Sequence, residues 1–175
     1  ASRRVVMVDT QVRPSDVTKF PVIDAMLTVP RDAFVPRAMR EAAYIGENLK
    51  LAEDRVMLEP RTLAKMLDAL AIERDELVLD VGTALGYTAA VMARMAQLVV
   101  GVEEDAAMAA EAQTLLADHG VDNVVIHEGP LAAGAAEHGP YDVVIVQGAA
   151  QQIPLAITDQ LKEGGRMACL FMEGA

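Results

Sequence analysis

Short uninterrupted apolar runs alternate along most of this chain with amphipathic segments, and turn residues punctuate the joins. Leu77 to Val81, Leu98 to Val102, Asn123 to His127, Tyr141 to Val146 and Arg166 to Met172 are rich in Val, Leu and Ile and have the length of buried strands. The spacing predicts a helix over Pro60 to Leu70, with Leu63, Met66, Leu67 and Leu70 on one face and Pro60 as its first residue. A second helix runs from an Asp105 N-cap to about Asp118, turning Met108, Ala112, Leu115 and Leu116 to the sheet, with Gly120 ending it. Small and straight-chain residues after Gly86 suit a helix, as does the stretch around Pro154 to Leu161 before a turn at Lys162 to Gly165. Pro130 to Glu137 is alanine-rich and reads as a poor helix. Regular strand and helix alternation predicts an α/β fold, a doubly wound and mainly parallel sheet with its ligand crevice at the carboxyl ends of the strands.

The first 60 residues break that rhythm. Thr18 caps a helix to about Thr28, with Val22, Ile23, Met26 and Leu27 inward; VPRDAFVP (Val29 to Pro36) ends it, because each proline holds the preceding valine extended. Arg40 to Tyr44 adds one helical turn. Residues 1–59 are expected to form a helical cap over a core of residues 60–175, within one domain.

Composition narrows the function classes. Apolar residues make up 53% and aromatics 3%, so the core must be aliphatic, with ten Met filling irregular space. A formal charge of −11 argues against a nucleic-acid partner, since neutralising phosphates takes clustered Lys and Arg. No apolar stretch approaches the roughly 18 to 20 residues of a membrane helix, and Arg3-Arg4 leads into no secretory signal, so a cytoplasmic location is expected. Cys169 lies in an apolar run with no neighbouring His and reads as an inert strand residue. His119, His127 and His138 have no ligand spacing, so no metal is expected. Oligomeric state leaves no mark on the sequence.

The candidate chemistry lies in Leu77 to Asp105. There a strand gives way to the turn Gly82-Thr83-Ala84-Leu85-Gly86, then a helix, then a second strand that delivers Glu103 about 20 residues beyond the turn. An acid at that place accepts hydrogen bonds from a ribose diol, while glycines let backbone approach the ligand. Asp80 before the turn suits an ammonium group and repels a pyrophosphate. With Tyr87 directly after the turn, the loop looks like that of S-adenosylmethionine enzymes, commonly (D/E)-x-G-x-G-x-G, with Ala84 in the middle glycine's place.

Seven strings, in order and at fitting separations over nearly the whole chain, resemble the protein-L-isoaspartate O-methyltransferase family. They are VPRDAFVP at Val29, Tyr44-x-x-x-x-Leu49, LDVGTALGY at Leu79, VGVEED at Val100, NVVIHEG at Asn123, YDVVIVQGAAQQIP at Tyr141 and LKEGGRM at Leu161. The resemblance implies methyl transfer from S-adenosylmethionine to an isoaspartyl carboxylate of a damaged protein or peptide, in protein repair. Asp80, Gly82 and Gly86 would surround the cofactor's methionine part and Glu103 its ribose, and Thr83, Tyr87 and Gly129 would also bind the cofactor. Some positions depart from the pattern. Val56 and Leu58 stand where the family has hydroxyls, Pro130 where it has the adenine-reading acid. The fold also normally continues into a terminal antiparallel pair, expected to be missing from a chain that stops at Ala175.

These departures keep two alternatives open: the same cofactor with another acceptor, or a non-catalytic interaction module. Transfer to a carboxylate needs no general base, because the acceptor is already ionised. The catalytic residue is therefore not identified. Arg55 is the candidate grip on an acceptor carboxylate, since a guanidinium holds one with two parallel hydrogen bonds. The competing reading is a solvated arginine in the acidic loop Glu53-Asp54-Arg55.

Overall fold

In the computed structural model, which describes residues 2–172, the apolar runs become parallel strands, the first three close to their expected bounds, the fourth running on to Ala150 and the fifth beginning earlier, at Leu161. They are β3 (Leu77–Val81), β4 (Leu98–Glu103), β5 (Val124–Glu128), β6 (Tyr141–Ala150) and β7 (Leu161–Phe171), following a small hairpin, β1 (Leu49–Ala52) and β2 (Arg55–Met57). The main sheet has the order β5-β4-β3-β6-β7 and every pairing in it is parallel. The chain thus winds outward from β3 in one direction, returns, and winds outward in the other, leaving a crevice between the carboxyl ends of β3 and β6 where ligands bind in such sheets.

Register and the two-residue period of a strand split the core. Val78, Val99 and Val143 sit side by side and face one layer; Leu79, Val100 and Val144, one step on, face the other. The first layer contains α2 (Phe20–Thr28), α3 (Pro60–Leu70) and α4 (Tyr87–Ala93), and one continuous cluster of buried side chains runs from Met7 in α1 (Ser2–Met7) to Ile145. On the other face, Leu79, Val81, Val100, Val102, Tyr141 and Val144 pack with Ile157 of the short α6 (Leu155–Thr158). Met7, Met26, Met57, Met66, Met92 and Met95 are buried, as expected of filler in a core poor in aromatics.

α3 keeps its expected ends and buries Leu63, Met66, Leu67 and Leu70. α5 (Ala106–Asp118) begins where the Asp105 side chain accepts from the Met108 N–H at 2.9 Å. α2 starts at Phe20 with Lys19, not Thr18, as N-cap: Pro21 sits in the first turn, and no side-chain cap is made. The turn expected within Arg40 to Tyr44 is a tighter 3₁₀ turn over Arg37–Ala42.

Three expectations need correction. Residues 1–59 are not all helical, because the β1–β2 hairpin lies among them. The segment after Pro130 is not a poor helix but two 3₁₀ turns, Leu131–Ala133 and Ala136–His138, broken at Gly134 with φ +59°. Finally, the turn read at Lys162 to Gly165 is absorbed into β7, whose pairing with β6 shifts register between Tyr141 and Val143. The expected absence of a terminal antiparallel pair concerns the chain beyond Met172, outside the described residues.

VPRDAFVP acquires a structural purpose. Arg31 is wholly buried; its Nε donates to the Ala43 carbonyl at 2.6 Å, its Nη2 to the Leu58 carbonyl at 2.8 Å, and its guanidinium lies 5.1 Å from the centre of the Tyr87 ring. One side chain thereby ties the N-terminal segment to the start of α4, beside the glycine turn. Nothing in the string by itself signalled that role.

Candidate functional site

Two carboxylates stand at the crevice, one at or near the end of each central strand. Asp80 of β3 is wholly buried; its Oδ2 accepts from Thr83 Oγ1 and its Oδ1 from Gln147 Nε2, both at 2.7 Å. Gln147 extends from β6, so the Asp80–Gln147 bond bridges the two strands where the winding reverses. Burial pushes the Asp80 carboxyl up to about 6, and the neighbouring Glu103 charge adds to the rise, against the opposing pull of the Gln147 and Thr83 hydrogen bonds. Gln147 was not singled out from sequence, although the strand-end rule that selected Glu103 points to it as well.

Glu103 ends β4, also wholly buried. Its Oε2 accepts from the Ala84 backbone N–H at 2.9 Å; its Oε1 accepts from the Asp105 N–H at 3.0 Å and from Arg55 Nη2 at 3.1 Å. The same Arg55 nitrogen reaches Glu104 Oε1 at 3.0 Å. Arg55 is therefore neither a solvated loop residue nor free for an acceptor. Burial alone would lower its pKa, but the bonds and charges of Glu103 and Glu104 prevail and raise it. It reaches them from β2, on the hairpin that sequence reading missed.

The glycine turn is built for close approach. Gly82 has φ +81° and Gly86 φ +92°, and a side chain on Gly86 would press on Leu116 of α5 at 3.4 Å. Gly82 and Thr83 N–H groups both donate to the Val102 carbonyl at 3.0 Å, fixing the turn to β4. Gly101 makes room for the Thr83 side chain, which would lie 2.9 Å from a Cβ there. Ala84 holds φ +51°, a left-handed conformation that costs a residue with a Cβ about 1–2 kcal/mol. The tyrosine after the turn, Tyr87, is buried at the start of α4, its ring directed to Arg31.

The space around this turn is divided. A cavity of about 10 Å³ over the glycines is lined by Val56, Gly82, Thr83, Tyr87 and Gln147. A second, of about 250 Å³, is bounded by Arg55, Val81, Leu131, Gln147, Ala150 and Ile153. Val56 stands on the wall of the first space, Arg55 on that of the second, and Gln147 on both. A larger cavity of about 420 Å³, between Phe34, Ala93, His119 and Asn123, lies away from the strand ends and the acids. Of the two hydroxyl-replacing residues, Val56 faces the glycine turn, whereas Leu58 is buried in the core. Gly129 follows β5, its N–H donating to the Glu103 carbonyl at 3.0 Å, so the segment through Pro130 and Leu131 borders the crevice.

These residues suit a nucleoside-bearing sulfonium cofactor in chemistry: an acid for a diol at Glu103, a buried carboxylate at Asp80, and backbone exposed by glycine. Neither space alone reaches the roughly 300 Å³ that ligands of that size fill.

Cys169, half-buried in β7, has its thiol pushed up by burial, the reverse of an activated nucleophile. No helix among the described residues is long and apolar enough to cross a membrane.

Comparison with known proteins adds the following. Residues 5–171 match the family described as Protein-L-isoaspartate(D-aspartate) O-methyltransferase (PCMT). A protein-L-isoaspartate O-methyltransferase of Syntrophus aciditrophicus is 36% identical over 165 residues, covering 94% of this chain and 76% of that protein. One of Methylorubrum extorquens is 38% identical over 167 residues, covering 95% and 73%. Among solved structures, a protein-L-isoaspartate O-methyltransferase superposes with a TM-score of 0.79 at 26% identity over 97% of this chain, which spans 54% of that one. A beta-aspartate methyltransferase from Plasmodium falciparum, in complex with S-adenosyl-L-homocysteine, shares the fold with a TM-score of 0.81 at 19% identity, covering 98% of this chain and 84% of that one.

Proposed function

Because the chain belongs to the protein-L-isoaspartate O-methyltransferase family, we propose that it transfers a methyl group from S-adenosylmethionine to an isoaspartyl carboxylate of a protein or peptide. The observation that carries this reading is the pair of buried acids, Asp80 and Glu103, flanking the Gly82 to Gly86 turn at the point where the sheet reverses. When bound, the cofactor supplies an electrophilic methyl on a sulfonium centre.

The chain's own residues bind, orient and exclude water. Glu103 accepts hydrogen bonds from the ribose, Asp80 faces the positively charged methionine part, and Gly82, Thr83, Gly86 and Tyr87 shape the wall beside it, with Gly129 opening the adenine side. No residue has to remove a proton, since the acceptor carboxylate is ionised at neutral pH. Rate comes from alignment and from shutting out water. The β1–β2 hairpin supplies the lid. Arg55 would leave Glu103 if the cofactor's diol took its place, which would free its guanidinium for the acceptor carboxylate. Residues 1–59 and 60–175 work as one domain in this reading, supported by the core cluster that runs through both. A cytoplasmic setting and a protein substrate, not a nucleic acid, agree with the charge of −11.

Val56 on the wall of the space over the glycines favours one variant of the reading, an acceptor with an apolar group beside its carboxylate. The test is calorimetric titration with S-adenosylhomocysteine, followed by methyl transfer to an isoaspartyl peptide and its aspartyl counterpart. Micromolar binding lost in Glu103→Ala, with methylation of the isoaspartyl peptide alone, is expected. Binding without methylation would transfer the case to another acceptor, and no binding at millimolar ligand would refute the enzymatic reading.

A further inference from the structure

Sequence spacing gives the three histidines no ligand pattern, yet the fold gathers two of them around one glutamate. His127, in β5, places Nδ1 3.0 Å from Glu137 Oε1; His138 places Nε2 3.3 Å from the same oxygen. All three ligand atoms lie within 4.8 Å of one another, and the two imidazoles meet nearly edge-on, at 81°. We propose that His127, Glu137 and His138 bind a divalent transition-metal ion of the zinc class.

The separations argue for it. Zinc bonds of about 2.0–2.1 Å arranged tetrahedrally put neighbouring ligand atoms about 3.3 Å apart, close to the two contacts observed. Both rings converge on one carboxylate oxygen. The donor set of two imidazole nitrogens and one carboxylate suits zinc, nickel or copper and is wrong for magnesium or calcium, which take oxygen ligands. Three protein ligands leave a fourth position for water, and side-chain exposures of 25% for His127, 37% for His138 and 65% for Glu137 give solvent access to it.

The ligands are also held in place. The His127 ring lies over Gly129, its Nε2 3.1 Å from where a Cβ would stand, which leaves Nδ1 for Glu137. Glu137 and His138 belong to the 3₁₀ turn Ala136–His138, anchored from beneath by two buried side chains. Tyr141 Oη donates to the Ala135 carbonyl at 2.5 Å, while Gln160 accepts from the Ala135 N–H at 3.0 Å and donates to the Ala133 carbonyl at 2.7 Å. A bound ion would tie the end of β5 to the loop carrying Leu131 and Ala132, two residues on the wall of the 250 Å³ cavity. The site stands or falls independently of the methyltransferase reading.

Titrating the full chain with Zn²⁺ against a chromophoric zinc indicator tests the proposal. One equivalent should bind at micromolar or tighter affinity, and zinc should raise the melting temperature. His127→Ala and His138→Ala should each weaken binding at least about tenfold, as should Glu137→Gln, which keeps the size and surface of the site. His119→Ala, on the exposed end of α5, should change nothing. Absence of saturable zinc binding, or stoichiometric binding retained both by the double variant His127→Ala/His138→Ala and by Glu137→Gln, would overturn it.

Discussion

Asp80→Asn separates the stability of the crevice from its use. In the unfolded chain Asp80 ionises near the ordinary aspartate value of 3.8; in the fold, burial moves that to about 6. Between those values the unfolded chain has released the proton and the native one still holds it. Raising the pH through this window therefore destabilises the fold, and the loss is complete once the pH exceeds the folded value. A rise of about two pH units corresponds to roughly 3 kcal/mol at most, and about half of this accrues above pH 5. Asparagine is neutral throughout and nearly isosteric with the protonated acid, and it can still pair with Thr83 and Gln147. Relative to wild type, Asp80→Asn should be close to neutral near pH 4 and stabilising by about 2–3 kcal/mol at pH 8. Urea unfolding of both proteins at several pH values measures this, and taking the difference cancels the other carboxylates. Affinity for S-adenosylhomocysteine at pH 8 should fall at the same time, because the variant loses the charge proposed to face the ligand's ammonium. A difference that does not change with pH, or a variant less stable than wild type at pH 8, would show that Asp80 titrates normally and that its hydrogen bonds outweigh its burial.

Other predictions concern single contacts. Arg55→Ala leaves the buried Glu103 without its cation and should cost about 3 kcal/mol of unliganded stability by urea unfolding. The same variant should bind S-adenosylhomocysteine about tenfold more tightly, because no charged hydrogen bond has to be given up, while the KM for an isoaspartyl peptide rises; unchanged cofactor affinity would rule out the lid. Ala84→Gly relieves the φ of +51° and should add about 0.5–1 kcal/mol, a rise in Tm of about 2 °C by calorimetry. Arg166 donates to the Leu70 carbonyl through Nε and Nη2 and forks onto Glu76 at 2.6 and 2.8 Å, so Arg166→Ala should lower stability by about 2 kcal/mol, and Arg166→Lys should recover only part of it, since an ammonium cannot reproduce the fork.

Local pattern and non-local pairing divide what the sequence made legible. β3 and α3 fall at their expected bounds because a dense apolar run or a proline followed by a 3.6-residue stripe is decided by neighbours in the chain. Glu103 and Asp80 were legible for a related reason: strand ends deliver side chains to a crevice whose position follows from topology. β1 and β2 were not, because strands of four and three residues carry too little apolar alternation to register, and their pairing rests on the hairpin alone. α1 and the turn that extends it to Val12 also escaped notice, although Met7, Val8 and Val12 are buried beneath the cap. The His127, Glu137 and His138 cluster lay beyond any spacing rule, since its ligands come from a strand and a 3₁₀ turn that only the tertiary fold brings together.

Arg55 shows how the missed hairpin changes the site. The crevice contains two wholly buried acids, with the Glu103 charge felt at Asp80, and burying acids is costly unless each is compensated. Asp80 is compensated only by the neutral dipoles of Thr83 and Gln147, and it keeps a raised pKa. Glu103 has a cation, and that cation comes from a short hairpin outside the main sheet. A fixed counter-charge within the sheet would have neutralised Glu103 permanently and closed the proposed ribose site. One carried on a two-stranded flap pairs with the acid in the unliganded chain and, in the proposed reading, leaves when a diol replaces it. In that reading the cost is affinity, since a ligand that used Glu103 Oε1 would have to displace Arg55.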